Sequence, residues 1–253
     1  MQYDPKTAKE RKMSDFTSKL TLVADKNSAT KGLISKEKAT VLESLTSHML
    51  EVNKSLNLTA IKDEDGVILK HLVDSSACVP YIGENASVCD IGCGGGFPSL
   101  VIAILRGDVS VFAVDSVSKK VRYVSETATL LGLDNVTVSS ERAEVIGQGE
   151  KREKFDIVTA RAVARLNILC ELCIPLLKVG GTFISMKSQT TDEEIDEARG
   201  AIELLGGKIK DVKSYTLTDG KETVERTLIL IEKVKQTPKI YPRNNSQIAK
   251  KPL

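Results

Sequence analysis

The sequence predicts an α/β protein: an open, seven-stranded, mostly parallel sheet with a reversed last strand, preceded by a helical N-terminal region. Three observations carry that expectation. From residue 87 onward short β-rich runs alternate with helical patterns, a glycine-rich bend follows the first of those runs, and the last two runs are joined only by "TDGKET". Strands separated by helices imply right-handed crossovers and a parallel sheet covered on both faces. Two strands joined by a short turn must run antiparallel, so the sheet should hold six strands in one direction and one reversed.

The elements follow in order. In "SKEKATVLESLTSHMLEVNKSLNL" the apolar residues Val41, Leu42, Leu45, Met49 and Val52 recur at helical spacing. Ser35 is the candidate cap, with Lys38 where a capping box would want an acid. A second helix is expected across "DGVILKHLVDSSACVPYI", ended by Pro80 and Gly83. Then come "SVCDI", a helix from Pro98, "SVFAVD", a helix from Ser118 to Leu131, "NVTVS", a turn and "FDIVTA". A helix over 166–178, "GTFISMK", a helix over 191–205, "KIKDVKSYTL" and "ERTLILIEK" complete the series. The expected organisation is a helical region 1–83 with 1–12 as an extension, a cofactor-binding domain 84–234, and a basic C-terminal tail 235–253.

Composition limits the function classes. A chain of 253 residues that is 41% apolar and 28% charged can bury one substantial core, or one core and a small appendage. It holds no apolar run of membrane-spanning length, and "MQYDPKTAKERKMSDF" lacks the apolar core of a secretory signal. A cytoplasmic protein without a membrane partner is expected, and nothing indicates an oligomer. Of the cysteines at 78, 89, 93, 170 and 173 only the last pair has metal or redox spacing; it sits in "LNILCELCIPLL", which reads as a buried helix, and no metal site is expected. The net charge of +2 is unevenly spread: residues 233–253 hold six Lys/Arg and no acid.

In an open parallel sheet ligands sit at the carboxyl ends of the strands. Asp90, Asp115 and Arg161 fall at such ends, far apart in sequence and expected as neighbours in space. Between them lies "SVCDIGCGGGFPSL", whose glycines let the backbone approach a ligand and take positive φ. A dinucleotide fingerprint would place glycine where Phe97 stands, and no GK[ST] phosphate loop occurs anywhere. The pattern is instead acid-x-G-x-G-x-G, from Asp90 through Gly92, Gly94 and Gly96. A carboxylate beside the loop disfavours a pyrophosphate and favours a cation. A cationic, phosphate-free cofactor with an amino-acid end and a ribose fits best.

"DIGCGGG" followed nineteen residues later by Asp115 resembles the first motif and the second acid of class I methyltransferases, which bind S-adenosyl-L-methionine. That resemblance implies the glycine loop under the amino-acid part of the cofactor and Asp115 on the ribose hydroxyls. For the acceptor, the residues prune the choices. The Asn/Asp-Pro-Pro-aromatic tetrad that serves exocyclic amines is replaced by "TARAVARL", and the Pro-Cys pair that serves pyrimidine C5 is missing. An acceptor with its own lone pair, such as guanine N7, needs neither device.

The ordered set "NLTAI", "KHLVDSS", "GFP", "DSVSKKVRYV", "RAE", "DIVTARAVARL", "ELCIPLLKVGG", "ERTLILIEK" and "YPR" is similar to the RsmG/GidB family. Its members methylate N7 of one guanine in the 530 loop of 16S ribosomal RNA. By that resemblance, Asp90, Gly92, Gly94, Gly96, Phe97, Asp115, Ala143 and Glu144 belong to the cofactor, and Arg161 to both the cofactor and the incoming base as the catalytic candidate. Asn57, His71, Asp74, Lys187 and Arg226 would then face the RNA, on free 16S ribosomal RNA or the small ribosomal subunit. Two departures stand out: Val52 occupies a position where relatives commonly carry Trp, and "MKS" at 186–188 replaces a usual Lys-Gly.

Overall fold

A computed structural model describes residues 14–188 and 192–253 of the chain, so the extension at residues 1–12 lies outside the described residues. Ser14 starts α1 (Asp15–Lys26) by accepting the Thr17 amide at 3.1 Å. Ser35 starts α2 (Lys36–Leu56) by accepting from Lys38 N–H, a cap that needs no acid at Lys38. Leu42, Leu45 and Met49 are buried, while Val41 and Val52 pack half-buried beside them. The second expected helix is interrupted. It comprises α3 (Glu64–Val67), a π-helical stretch Ile68–Val73 and α4 (Asp74–Ser76).

The sheet region alternates β1 (Ser87–Ile91), α5 (Ser99–Leu105), β2 (Ser110–Val114), α6 (Ser118–Leu131), β3 (Val136–Ser139), α7 (Ala143–Gln148) and β4 (Phe155–Arg161). It continues through α8 (Leu166–Cys173), β5 (Leu177–Lys187), α9 (Asp192–Leu204), β6 (Gly207–Thr218) and β7 (Thr223–Lys233). The strand order is β3-β2-β1-β4-β5-β7-β6, with β7 antiparallel to both of its neighbours. The reversed last strand is thus inserted beside β5, and the strand order reverses between β1 and β4.

Two expectations need correction. The segment read as a turn after β3 holds α7. The helix expected over 166–178 stops at Cys173, because Pro175 enters a short turn and the chain is already strand at Leu177, opposite Phe155.

Alternation along the strands divides the core. Val88, Val111, Ile157 and Leu230 face a cluster shared with α2, the π-helical stretch and α5. Cys89, Val114, Val158, Phe183 and Ile231 face α8 and α9. Such strands are buried on both faces, which explains their near-continuous apolar runs. The five cysteines are buried, and burial pushes their thiols up. Among the described residues no helix is long and apolar enough to cross a membrane.

The basic segment 235–253 packs back onto the sheet domain. The buried Glu171 carboxylate receives the backbone N–H of Arg243 at 2.8 Å and its guanidinium at 2.8 and 2.6 Å. Ile248 of α10 (Asn245–Lys250) is buried, and Asn167 donates to the Leu253 carbonyl.

Candidate active site

The glycine loop is held from behind by backbone. Gly92 N–H and Cys93 N–H donate to the last carbonyl of β2, Val114, at 2.8 and 2.9 Å. Gly92, Gly94 and Gly96 have φ of 74, 54 and 87°. They differ in what a side chain would meet. A Cβ on Gly94 would meet only the Gly92 carbonyl, at 3.9 Å, and would otherwise project into open space above the loop. A Cβ on Gly92 would strike Val163 at 2.4 Å, and one on Gly96 would strike Leu100 at 2.4 Å.

Asp115 begins the connection to α6 and turns back onto the loop. Its carboxylate accepts Gly94 N–H at 3.0 Å and Val117 N–H at 2.9 Å. One side chain therefore braces the loop and the turn into α6 while keeping lone pairs for a ligand. Gly92, Gly94, Phe97, Asp115, Ala143, Glu144 and Arg161 line a common cavity of about 550 Å³.

Asp90 and Gly96 do not line it. The Asp90 carboxylate is fully buried beneath the loop, where it accepts the Ser99 hydroxyl and amide and, at 2.8 Å, the Thr159 hydroxyl. The sheet register places Thr159 beside Asp90, and the start of α5 supplies Ser99. Burial pushes the Asp90 carboxyl up to about 6, against the hydrogen bonds from Ser99 and Thr159 and the charge of Arg161. Asp90 is mostly ionised at neutral pH, so it contributes a negative field under the loop rather than a contact. Gly96 serves the turn into α5 and packs on Leu100.

A second cavity of about 530 Å³ adjoins the first, lined by His71, Asp74, Lys187 and Arg226. Its wall is a network of charge. Asp74 accepts Arg161 at 2.9 Å on one oxygen and Arg226 at 2.9 Å on the other, with all three side chains at 15% exposure or less. Arg161 also donates to the Lys70 carbonyl at 3.0 Å, inside the π-helical stretch, where the ladder of helical bonds is irregular. Lys187 pairs with Glu194 at 2.6 Å and donates to the Ala164 carbonyl at 2.9 Å.

His71 connects the two cavities. Its ring stacks on Phe97, with centroids 4.6 Å apart, and the Arg161 guanidinium lies 5.8 Å from the same Phe97 ring. Arg161 lies 3.2 Å from Nδ1 and can only donate, so Nδ1 accepts and Nε2 carries the hydrogen toward Thr59 Oγ1 at 2.8 Å. Burial, then the Arg161 charge, push the imidazole down to about 3. It stays neutral at physiological pH.

Asn57 lies in neither cavity. It closes α2 in the left-handed conformation, φ 51°, exposed to solvent. Sequence reasoning missed three contributors. Thr59 orients His71 and is itself positioned by the buried Asn53, which bonds its amide and carbonyl. The strip Ala162–Ala164 borders both cavities, with Ala162 at φ 57°. Asn245, from the C-terminal segment, lines the first cavity. Thr59 and Ala162–Ala164 lie inside the motifs "NLTAI" and "DIVTARAVARL", but nothing in those motifs says which of their residues border a cavity.

The cavity suits S-adenosyl-L-methionine. A glycine loop leaves room for an amino-acid end, and a braced carboxylate offers acceptors for ribose hydroxyls. Fold and site together define a class I S-adenosylmethionine-dependent methyltransferase. Comparison with known proteins narrows this. The family model described as GidB, rRNA small subunit methyltransferase G, matches residues 38–224. The chain is 47% identical over 211 residues to a "Ribosomal RNA small subunit methyltransferase G" of Lactobacillus johnsonii, covering 81% of this chain and 87% of that protein. It is 46% identical to the protein of the same description from Caldicellulosiruptor bescii, covering 81% and 88%. The chain belongs to the rRNA small subunit methyltransferase G family. Among solved structures, M. jannaschii TYW2 in complex with AdoMet aligns with a TM-score of 0.52 at 17% identity, covering 64% of this chain and 75% of that one. Bacillus YcgJ aligns with a TM-score of 0.51 at 15% identity, covering 66% and 100%. These two likenesses concern the fold.

Proposed function

We propose that the protein transfers a methyl group from S-adenosyl-L-methionine to N7 of a guanine in the 530 loop of 16S ribosomal RNA, in the cytoplasm. The observation that carries this reading is the junction of the two cavities at Arg161 and His71, one bordered by backbone and carboxylate, the other by cationic side chains. When bound, the cofactor supplies an electrophilic methyl group carried by a sulfonium.

The chain's own residues then have distinct tasks. Gly92, Gly94 and Phe97 line the amino-acid end, Asp115 holds the ribose hydroxyls, and Ala143 and Glu144 frame the adenine. Guanine N7 already presents a lone pair, so it needs orientation rather than deprotonation. His71 agrees with that chemistry. It is neutral, and both ring nitrogens are engaged by protein partners, which leaves it no site for accepting a proton. Arg161 commits three hydrogen bonds to Lys70, Asp74 and His71, and its remaining N–H groups are available for guanine O6. Lys187 and Arg226 offer positive charge to RNA phosphates, which position a strand without reading its sequence.

Aniline-cleavage mapping tests the assignment. In cells deleted for this protein the 530-loop guanine is expected to lose cleavage, with restoration by the wild-type chain and not by Arg161→Ala. A guanine that remains fully methylated in the deletion strain removes the substrate assignment.

A further inference from the structure

The C-terminal segment is fastened where the cofactor's base would lie. Arg152 donates to the carbonyls of Thr237, Pro238 and Tyr241 at 2.7, 3.2 and 2.6 Å. Gln148 donates to the Lys239 and Pro242 carbonyls at 3.3 and 2.9 Å, and Glu171 takes Arg243 as described. These anchors come from α7, the turn after it and α8, so the segment is a strap across that corner of the sheet. Asn244 then caps α10 reciprocally with Gln247, which sets the backbone on either side of Asn245.

Asn245 is left over from this scheme. Asn245 is exposed, its side chain makes no hydrogen bond among the described residues, and it is the one Asn or Gln among the residues that line the first cavity. Its place in the cavity follows from the neighbours. The glycine loop and Asp115 mark the amino-acid and ribose ends, so a purine extends beyond Asp115 toward Ala143 at the start of α7. There Ile168 and Leu172 of α8 supply an apolar wall, and the strap brings Asn245 to the same corner.

We propose that Asn245 is a cofactor-binding residue that reads the edge of the adenine. A primary carboxamide presents one acceptor and one donor side by side, which matches the 6-amino group and the adjacent ring nitrogen of adenine. The apolar wall gives the base a surface without specificity; Asn245 adds a paired donor and acceptor at its edge beside the Glu144 carboxylate. This inference rests on the S-adenosylmethionine reading of the cavity.

The test is calorimetric binding of S-adenosylhomocysteine and of its analogue lacking the 6-amino group, to the full chain and to Asn245→Ala. The wild-type chain is expected to prefer the adenine ligand by about tenfold, and the variant to keep at most about a twofold preference at an unchanged Tm. Asn245→Asp, which keeps an acceptor for the amino group and loses the donor, is expected to retain part of the preference. If the wild-type chain prefers adenine and Asn245→Ala prefers it equally, the inference is overturned while the cofactor reading stands. If the wild-type chain binds neither ligand, the cofactor reading itself fails.

Discussion

The two adjoining cavities are built from different materials. The side proposed for the cofactor is bordered by the glycine loop, strand ends and the braced Asp115, mainly residues 91–95, 97, 114–116 and 141–144. The side proposed for the acceptor is made of charged side chains: Asp74 ties Arg161 to Arg226, while Lys70 and Lys187 pair with Glu222 and Glu194. Backbone geometry holds its shape without a partner, whereas arginines and lysines have many rotamers and hold a shape only when clamped. Asp74 is that clamp. The acceptor side should therefore fail by losing stability and turnover, and the cofactor side by losing affinity.

The largest expected effect tests the clamp. Asp74→Ala leaves two poorly exposed guanidiniums without their shared carboxylate and should lower the unfolding free energy by about 3–5 kcal/mol in urea denaturation. A loss under about 1 kcal/mol would mean the acceptor side is organised by something else. On the other side, Asp115→Ala should weaken S-adenosylhomocysteine by about 10- to 100-fold in calorimetry, the worth of hydrogen bonds to a charged acceptor. Its RNA affinity should stay within a factor of two or so, since Asp115 lies only in the first cavity. Equal losses of both affinities would erase the distinction between the cavities.

A pH series sharpens the comparison. His71 has a native pKa near 3 against about 6.5 unfolded, so between those values the unfolded chain binds more protons and stability rises with pH. At pH 5 the protein should already have lost about 2 kcal/mol through this group, and His71→Gln should flatten that part of the profile. Asp90 has the opposite sign. Its native pKa near 6 exceeds the unfolded value, so the folded chain binds more protons there and stability falls as pH rises from about 4 to 6. Asp90→Asn should remove that opposing slope and so steepen the rise. A profile insensitive to both substitutions would refute the burial argument for each.

The smallest effect concerns Asn57. Glycine tolerates its left-handed backbone at least as well, so Asn57→Gly should leave both stability and methylation within about 0.5 kcal/mol of wild type in denaturation and turnover assays. A marked loss of RNA affinity without a stability change would place Asn57 on the RNA-facing surface.

Much of this was legible in the sequence because it depends on short-range rules. The helix Ser118–Leu131 and the strands at 87–91 and 155–161 follow from periodicity, and Ser35 was recognisable as a cap. The helix at 143–148 was hidden by its brevity and by a glycine within it. The π-helical stretch carries no residue pattern that separates it from an α-helix, yet it offers the Lys70 carbonyl to Arg161. The anchoring of the basic C-terminus was not legible because Glu171, its buried partner, is 72 residues away in the chain.

The sequence by itself determined the class of fold, the glycine loop and its two acids, because strand periodicity, turn chemistry and a contiguous motif are properties of neighbouring residues. Only the tertiary structure decided which of those acids meets the cavity. Asp90 and Asp115 read alike as strand-end carboxylates, but pairing with β4 and packing on α5 bury the first, while Asp115 stays at the cavity wall. The same holds for the acceptor side: an arginine's partners are set by whichever buried carboxylate the fold brings within 3 Å or so, and that is a property of packing rather than of local pattern.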